Sequence, residues 1–271
     1  KFIDARHPDV VVSTYPGATE LIGRMRGRGE IEVPVVSAIT DLAALNFWAQ
    51  ADVDLHLITH PESVEEVRAI APRSRIEAVR GLTDPAFYEP VDSAAARRSL
   101  DLPEDGPIVV VSGGGWAVGD LGGAAEEVLE HDAGAVLLCG RMDNLRAKLE
   151  ERFADQPGVT VLGFTEQMPE LLGAADVLVH STAGLTVLEA LMRGCGVISY
   201  GWGGAHIRIN NEAFVRFGLA EVATDREQLG GALRRALAAP REPDNSFASL
   251  PSAAGAVLGL GDHARHSRSA A

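Results

Sequence analysis

The chain has 271 residues, 46% hydrophobic and 23% charged, with a net charge of −14. That is long enough for two domains with separate cores. The acidic balance, with no concentrated basic face, excludes a nucleic-acid binder, whose surface must displace counterions from phosphates. No apolar run reaches 18 residues, so no membrane-spanning helix is read. Cys139 and Cys195 lie far apart in apolar contexts and are expected as small core residues of a reduced, cytoplasmic protein.

In chain order, Pro8 to Thr14 reads as a buried strand, Pro16-Gly17 as a turn and Ala18 to Arg28 as a helix. The helix closes on Arg24, Arg26 and Arg28, a solvated end or, on the other reading, a patch for an anionic membrane surface. Strands follow at Pro34 to Ile39, Val53 to Thr59 and Arg75 to Gly81, with a helix at Pro61 to Ala71. Near-continuous apolar strands alternating with helices imply a parallel sheet covered on both faces. The proline-rich stretch 91–106 is expected to link two domains, 1–90 and 107–240.

The alternation restarts with a strand at Pro107 to Gly113 and a helix at Leu121 to His131. Strands at Ala135 to Cys139 and Val159 to Gly163 follow, with helices at Asn144 to Ala154 and Pro169 to Ala175; further on, Gly194 reads as a left-handed helix stop, Gly196 to Tyr200 as a strand and Arg226 to Ala238 as a helix. The predicted fold class is therefore α/β, with two Rossmann-like doubly wound domains. Residues 241–271, rich in Gly, Ala and Ser, are expected to be a disordered or loosely docked tail.

Three stretches carry chemistry. Asp176 to His180 is a short apolar run broken by Ser181-Thr182-Ala183-Gly184, after which Leu185, Val187, Leu188, Leu191 and Met192 recur at helical spacing. Strand, tight turn and helix would aim free amides and the positive end of a helix dipole at a phosphate. Glu189, one to two turns on, is placed to accept from a ribose diol; a plain turn and a solvated carboxylate are the alternative. Gly113-Gly114-Gly115 also follows a strand and precedes a helix, where backbone can approach a diphosphate unobstructed. Arg141, after another strand, is a phosphate or surface arginine. Phe164 and Met168 flank a strand-to-helix turn, covering a base or filling core. The loop from Gly201 to Asn211 looks like a ligand loop, in which His206, Asn210 and Asn211 could bond sugar hydroxyls.

HPDVVVST, VPVVSAITDL, VDLHLIT, VVVSGGG, LLCGR, VLGFTEQMPELLGAADVLVHSTAGLTVLEAL and NNEAFVRFGLA, in that order and spacing, resemble the GT-B fold glycosyltransferases of the MurG and monogalactosyldiacylglycerol synthase type. The resemblance is closest to the bacterial diacylglycerol glycosyltransferases. It implies an inverting, metal-independent transfer of a hexose from a UDP-sugar to a lipid acceptor, with no cofactor beyond the co-substrate. On the matching positions, Gly113, Gly114, Gly115, Ser181, Thr182, Gly184 and Leu185 lie at the diphosphate, Phe164 and Met168 at uracil, Glu189 at the ribose, and the loop Gly203 to Asn210, with Gly204, His206 and Asn210, near the sugar. The first domain would bind the acceptor, with Asp41 and the loop Thr40 to Trp48 on that side and Leu42, Leu45, Phe47 and Trp48 either dipping into lipid or anchoring the loop. The family's glycine-rich loop with its presumed catalytic His precedes the position matching Lys1, so the first domain is expected to be incomplete and the base to lie upstream. The implied location is the inner face of the plasma membrane, peripherally bound. A MurG-like N-acetylglucosamine transfer and a catalytically silent nucleotide-binding protein remain as alternatives.

Overall fold

A computed structural model describes residues 3–182, 184–201 and 205–269; of Asp4, Ala205, His206 and residues 263–269 only the backbone is described. The chain divides into two compact units, residues 1–83 with 246–271, and residues 84–245.

In the first unit, β1 (Val11–Ser13), β2 (Val35–Ile39), β3 (Leu55–Ile58) and β4 (Arg75–Ala78) form a parallel sheet in sequence order. Helix α1 (Pro16–Gly27) connects β1 to β2, and α2 (Val64–Ile70) connects β3 to β4. β2 and β3 are buried along their whole length, matching their unbroken apolar sequence. Sequential order leaves this sheet without a reversal.

Arg24 and Arg26 of α1, and Arg28 just beyond it, are already paired. Arg24 meets Glu20, Arg26 holds Asp54 through two bonds of 3.1 Å, and Arg28 lies 3.6 Å from Glu30.

Residues 241–271 are not a loose tail. Arg80 N–H donates to Pro251 O and Ala253 N–H to Arg80 O, both at 2.9 Å, extending the sheet edge past β4. A helix at Ala253–Ser269, labelled α10 below, then lays Ala253, Ala256, Val257 and Leu260 on Val10, Val36, Leu55, Leu57, Val79 and Leu82. The Gly/Ala composition that suggested disorder hides an apolar stripe at helical spacing, and it is this stripe that docks.

The second unit holds α3 (Ser93–Ser99), β5 (Ile108–Ser112), α4 (Leu121–Leu129), β6 (Gly134–Leu138), α5 (Asp143–Arg152) and β7 (Val159–Leu162). It continues with α6 (Met168–Ala174), β8 (Val177–His180), α7 (Leu185–Met192), β9 (Gly196–Tyr200), α8 (Ala205–Phe217), β10 (Glu221–Ala223) and α9 (Arg226–Ala238). The six strands are parallel in the order β10-β9-β8-β5-β6-β7. β5 is the pivot, with later strands stepping out on one side and β6 and β7 on the other. The crevice above a pivot of this kind is where doubly wound sheets bind ligands.

Residues 91–106, expected as the link, are folded into the second unit, and the division falls between Thr83 and Asp84. Arg97, 8% exposed, is the reason. Its guanidinium donates to Ala174 O at 3.1 Å, Gly106 O at 2.7 Å and Asp176 Oδ2 at 3.0 Å, pinning α3 to the sheet. An arginine that satisfies several buried carbonyls in this way is costly to displace.

Candidate donor-binding site

β5 and β8 lie side by side with Ser112 opposite His180, so the segments that leave them begin at one height on the sheet's carboxyl edge. Ser181 N–H donates to Ser112 O at 3.2 Å, carrying the pairing one step beyond the strands. Gly113 to Gly115 and the bend that begins at Ser181 and Thr182 therefore share one rim. Gly114, at φ +67°, turns its bare Cα toward Thr182: an added Cβ would lie 3.3 Å from Thr182 Cγ2. Gly113 is tight for another reason, since a Cβ there would sit 2.5 Å from Ala117 Cα and Val118 N.

Gly184 has φ +114° and ψ −153°, a region that only glycine occupies without strain. It starts α7 with no side-chain cap, whereas Asp120 caps α4 and Asp225 caps α9 through bonds of 2.8 and 2.9 Å. Gly184 has no side chain with which to cap the leading amides of α7. Gly194, at φ +76°, ends the helix: Cys195 N–H reaches Ala190 O at 2.9 Å, a left-handed C-terminal stop as the sequence suggested. Leu185 and Glu189 are both half-buried on this helix.

Beside the rim is a cavity of about 170 Å³, lined by Ser112, Gly114, Gly115, Leu138, Gly140, Gly163, Phe164, Thr165, Met168 and Thr186. Phe164 is 59% exposed, and the Arg141 guanidinium stacks 4.9 Å from its ring centroid. Arg141 N–H donates to Gly115 O at 3.0 Å, tying the end of β6 to the triplet.

Gly113, Gly114, Gly115, Arg141, Phe164, Met168, Ser181, Thr182, Gly184, Leu185 and Glu189 all follow the carboxyl ends of β5, β6, β7 and β8. Sequence reasoning missed Gly140 and Thr186. Gly140 has φ +53°, and a Cβ on it would come within 2.6 Å of Gly114 O and Gly115 O. Its position immediately after an apolar strand was the available signal.

The sugar loop differs from expectation. Residues 205–211 are helical, opening α8, because Ile207, Asn210, Asn211 and Phe214 recur on one buried face. Asn210 is 1% exposed, turned into the protein, and Asn211 Oδ1 accepts from Ser199 Oγ at 2.7 Å. Gly204 and the His206 side chain lie outside the described residues.

In the first unit, Asp41 Oδ2 accepts from Trp48 Nε1 at 2.8 Å. Leu42, Leu45 and Trp48 are buried, so they anchor this loop; Phe47 alone of the four is exposed. Among the described residues no three His, Cys, Asp or Glu side chains gather as a metal-binding group. His180, 1% exposed, packs edge-on against Phe214 at 5.6 Å. Burial pushes it down to about 4, so its ring is neutral at pH 7. The backbone of Thr182 is a polar neighbour, outside good hydrogen-bond geometry.

Residues 1–79 match the family model of monogalactosyldiacylglycerol (MGDG) synthase, and residues 116–239 that of glycosyl transferases group 1. A processive diacylglycerol beta-glucosyltransferase of Staphylococcus saprophyticus is 24% identical over 190 residues, covering 69% of this chain and 48% of that protein. Monogalactosyldiacylglycerol synthase 1 of Arabidopsis thaliana is 28% identical over 209 residues, covering 72% and 39%. The chain therefore spans about half the length, or less, of these relatives. Among solved structures, Arabidopsis thaliana UGT89C1 complexed with UDP superposes with a TM-score of 0.63 at 17% identity, covering 94% of this chain and 72% of that one. Anabaena Alr3699/HepE in complex with UDP-glucose gives 0.54 at 16%, covering 97% and 79%. The chain is therefore similar to monogalactosyldiacylglycerol synthase over residues 1–79 and to glycosyl transferases group 1 over residues 116–239, and the superpositions show the GT-B fold.

Proposed function

We propose that the second unit holds a UDP-sugar and that the protein transfers its hexose, with inversion and without a metal, to a lipid acceptor such as diacylglycerol. One observation carries the reading: the bare Cα of Gly114 faces Thr182 above the β5–β8 pivot. Two backbone bends there can grip a diphosphate between them. Amides and a helix dipole supply the positive potential that a leaving UDP requires, so no metal is needed to balance its charge.

The cavity beside the bends takes the base. Phe164 and Met168 cover the ring, and the backbone from Gly163 to Thr165 meets its edge. Glu189 takes the ribose hydroxyls, and Arg141 leaves Phe164 to meet a phosphate. The relatives named for diacylglycerol and monogalactosyldiacylglycerol support a lipid acceptor, and the solved complexes with UDP and UDP-glucose support the donor.

A lipid acceptor implies work at a membrane surface. The association proposed is peripheral, as the family resemblance implies; among the described residues no helix is long and apolar enough to cross a membrane. The test is calorimetric titration with UDP, followed by hexose transfer from UDP-glucose and UDP-galactose to diacylglycerol in mixed vesicles. Absence of UDP binding removes the donor site. Binding with no transfer leaves a nucleotide-binding protein.

A further inference from the structure

Trp116 is 73% exposed, although an indole is among the most favourable side chains to bury. Its loop is not loose. Gly114 abuts Thr182 at one end, and Gly119, at φ +102°, abuts the Ser181 side chain at the other. Between them Val118 N–H donates to Gly113 O at 2.8 Å and Ala117 N–H to Gly114 O at 3.1 Å. Ala117 is held left-handed at φ 48°, a conformation that is unfavourable for a residue with a Cβ. Both ends of the loop are thus seated on the bend after β8, and a strained residue maintains the turn that leaves the indole in solvent. Strain of this kind persists where the surroundings impose it, and it concentrates at ligand sites.

Gly114 and Gly115 line the cavity assigned to the base, whereas Trp116, the next residue, does not. A nucleotide with its base in the cavity and its diphosphate across the glycines continues beyond them as the group on its far phosphate. In a nucleotide-sugar that group is a pyranose, whose C–H face is apolar and matches an aromatic plane.

We propose that Trp116 is the stacking platform for the donor's pyranose and the residue that separates affinity for a UDP-sugar from affinity for UDP. The proposal rests on the donor site described above. It assigns no bond-making role to Trp116; the indole desolvates one face of the sugar and fixes its tilt.

The test titrates UDP, UDP-glucose and UDP-galactose into the wild-type protein, Trp116→Ala and Trp116→Phe, and follows tryptophan emission in parallel. Since Trp116 is exposed, the variants should keep the wild-type circular dichroism. The expected result is UDP affinity within about twofold of wild type in all three proteins. At least one UDP-sugar should lose ~10-fold in Trp116→Ala, about 1.4 kcal/mol, and recover most of that in Trp116→Phe. The same UDP-sugar, and not UDP, should change an emission component that Trp116→Phe removes. Equal weakening of UDP and both UDP-sugars overturns the proposal, because the indole would then serve the loop or the nucleotide. Unchanged affinity for all three ligands also overturns it. Failure of the wild-type protein to bind UDP is a different result, which removes the donor site and the platform with it.

Discussion

Gly114 and Thr182 face each other where β5 and β8 meet, so close that a single carbon added to Gly114 would lie 3.3 Å from Thr182 Cγ2. Gly114→Ala should therefore act twice, forcing a side chain into a left-handed backbone at φ +67° and filling the gap between the two bends. We expect UDP affinity to fall at least ~10-fold while the far-ultraviolet circular dichroism is kept. Wild-type affinity in this variant would show that no ligand passes between the bends.

Gly140 sits under the same loop from the β6 side. A Cβ there would come within 2.6 Å of Gly114 O and Gly115 O, and these are backbone atoms that cannot swing aside. Gly140→Ala should destabilise the second unit by about 1–3 kcal/mol and weaken UDP binding as well. A urea midpoint equal to wild type would mean the loop relaxes freely, contrary to the packing described.

Glu189 is half-buried on α7, five residues after Gly184, the bend's left-handed glycine. For a carboxylate that accepts from a ribose diol, Glu189→Ala should lose ~10-fold in UDP affinity, about 1.4 kcal/mol. Uridine should lose by a similar factor, because the ribose is common to both ligands. Unchanged uridine binding would remove that role.

Helix α10 belongs to the first unit's core, with Ala253 5% exposed and Val257 and Leu260 packed against the cluster that holds Val36, Leu55, Leu57 and Val79. Val257→Ala with Leu260→Ala should cost about 2–4 kcal/mol together, since both side chains are only partly buried. Thermal unfolding of the double variant gives the value directly. A loss below about 0.5 kcal/mol would mean the helix rests on the sheet without contributing to it.

Three buried histidines set a pH dependence. His56, His60 and His180 are each pushed down to about 4 by burial, against an ordinary value near 6.5 in the unfolded chain. As pH falls through about 6.5 the unfolded chain takes up protons that the native state refuses, so native stability drops. It is fully present above about pH 7 and falls progressively towards pH 4. A gap of this size amounts to about 3 kcal/mol per group across the window. The urea midpoint should therefore fall between pH 7 and pH 5, and the fall should be smaller in His60→Leu. A flat midpoint over that range would mean these rings are protonated in the folded protein.

Periodicity and punctuation alone located nearly all the elements. α9 was placed at the residues where it is found, and β9 likewise, because each is bounded by strong signals: Asp225 as a cap, Gly194 as a helix stop and the apolar run Gly196–Tyr200. Local rules suffice there since both boundary and burial are written in neighbouring residues. The same rules failed at 253–269 and 205–211. In each, small or polar residues mask a helical face whose partner lies outside the segment, Val36 and Val79 for α10 and Ser199 for Asn211. Arg97 is a similar case: its carbonyl partner Ala174 is 77 residues distant, so nothing near it in sequence tells a buried peg from a solvated charge.

By itself the sequence determined that there would be two parallel α/β units, and that glycines and a serine-threonine bend would follow strands of the second. Those features depend only on local backbone preference and apolar spacing. Tertiary structure alone decided that β5 pairs with β8 as well as with β6, which sets Gly114 against Thr182 and brings Gly140 beneath them. Strand order is chosen by the global packing of helices on both faces of the sheet, a long-range balance that no short stretch of residues encodes.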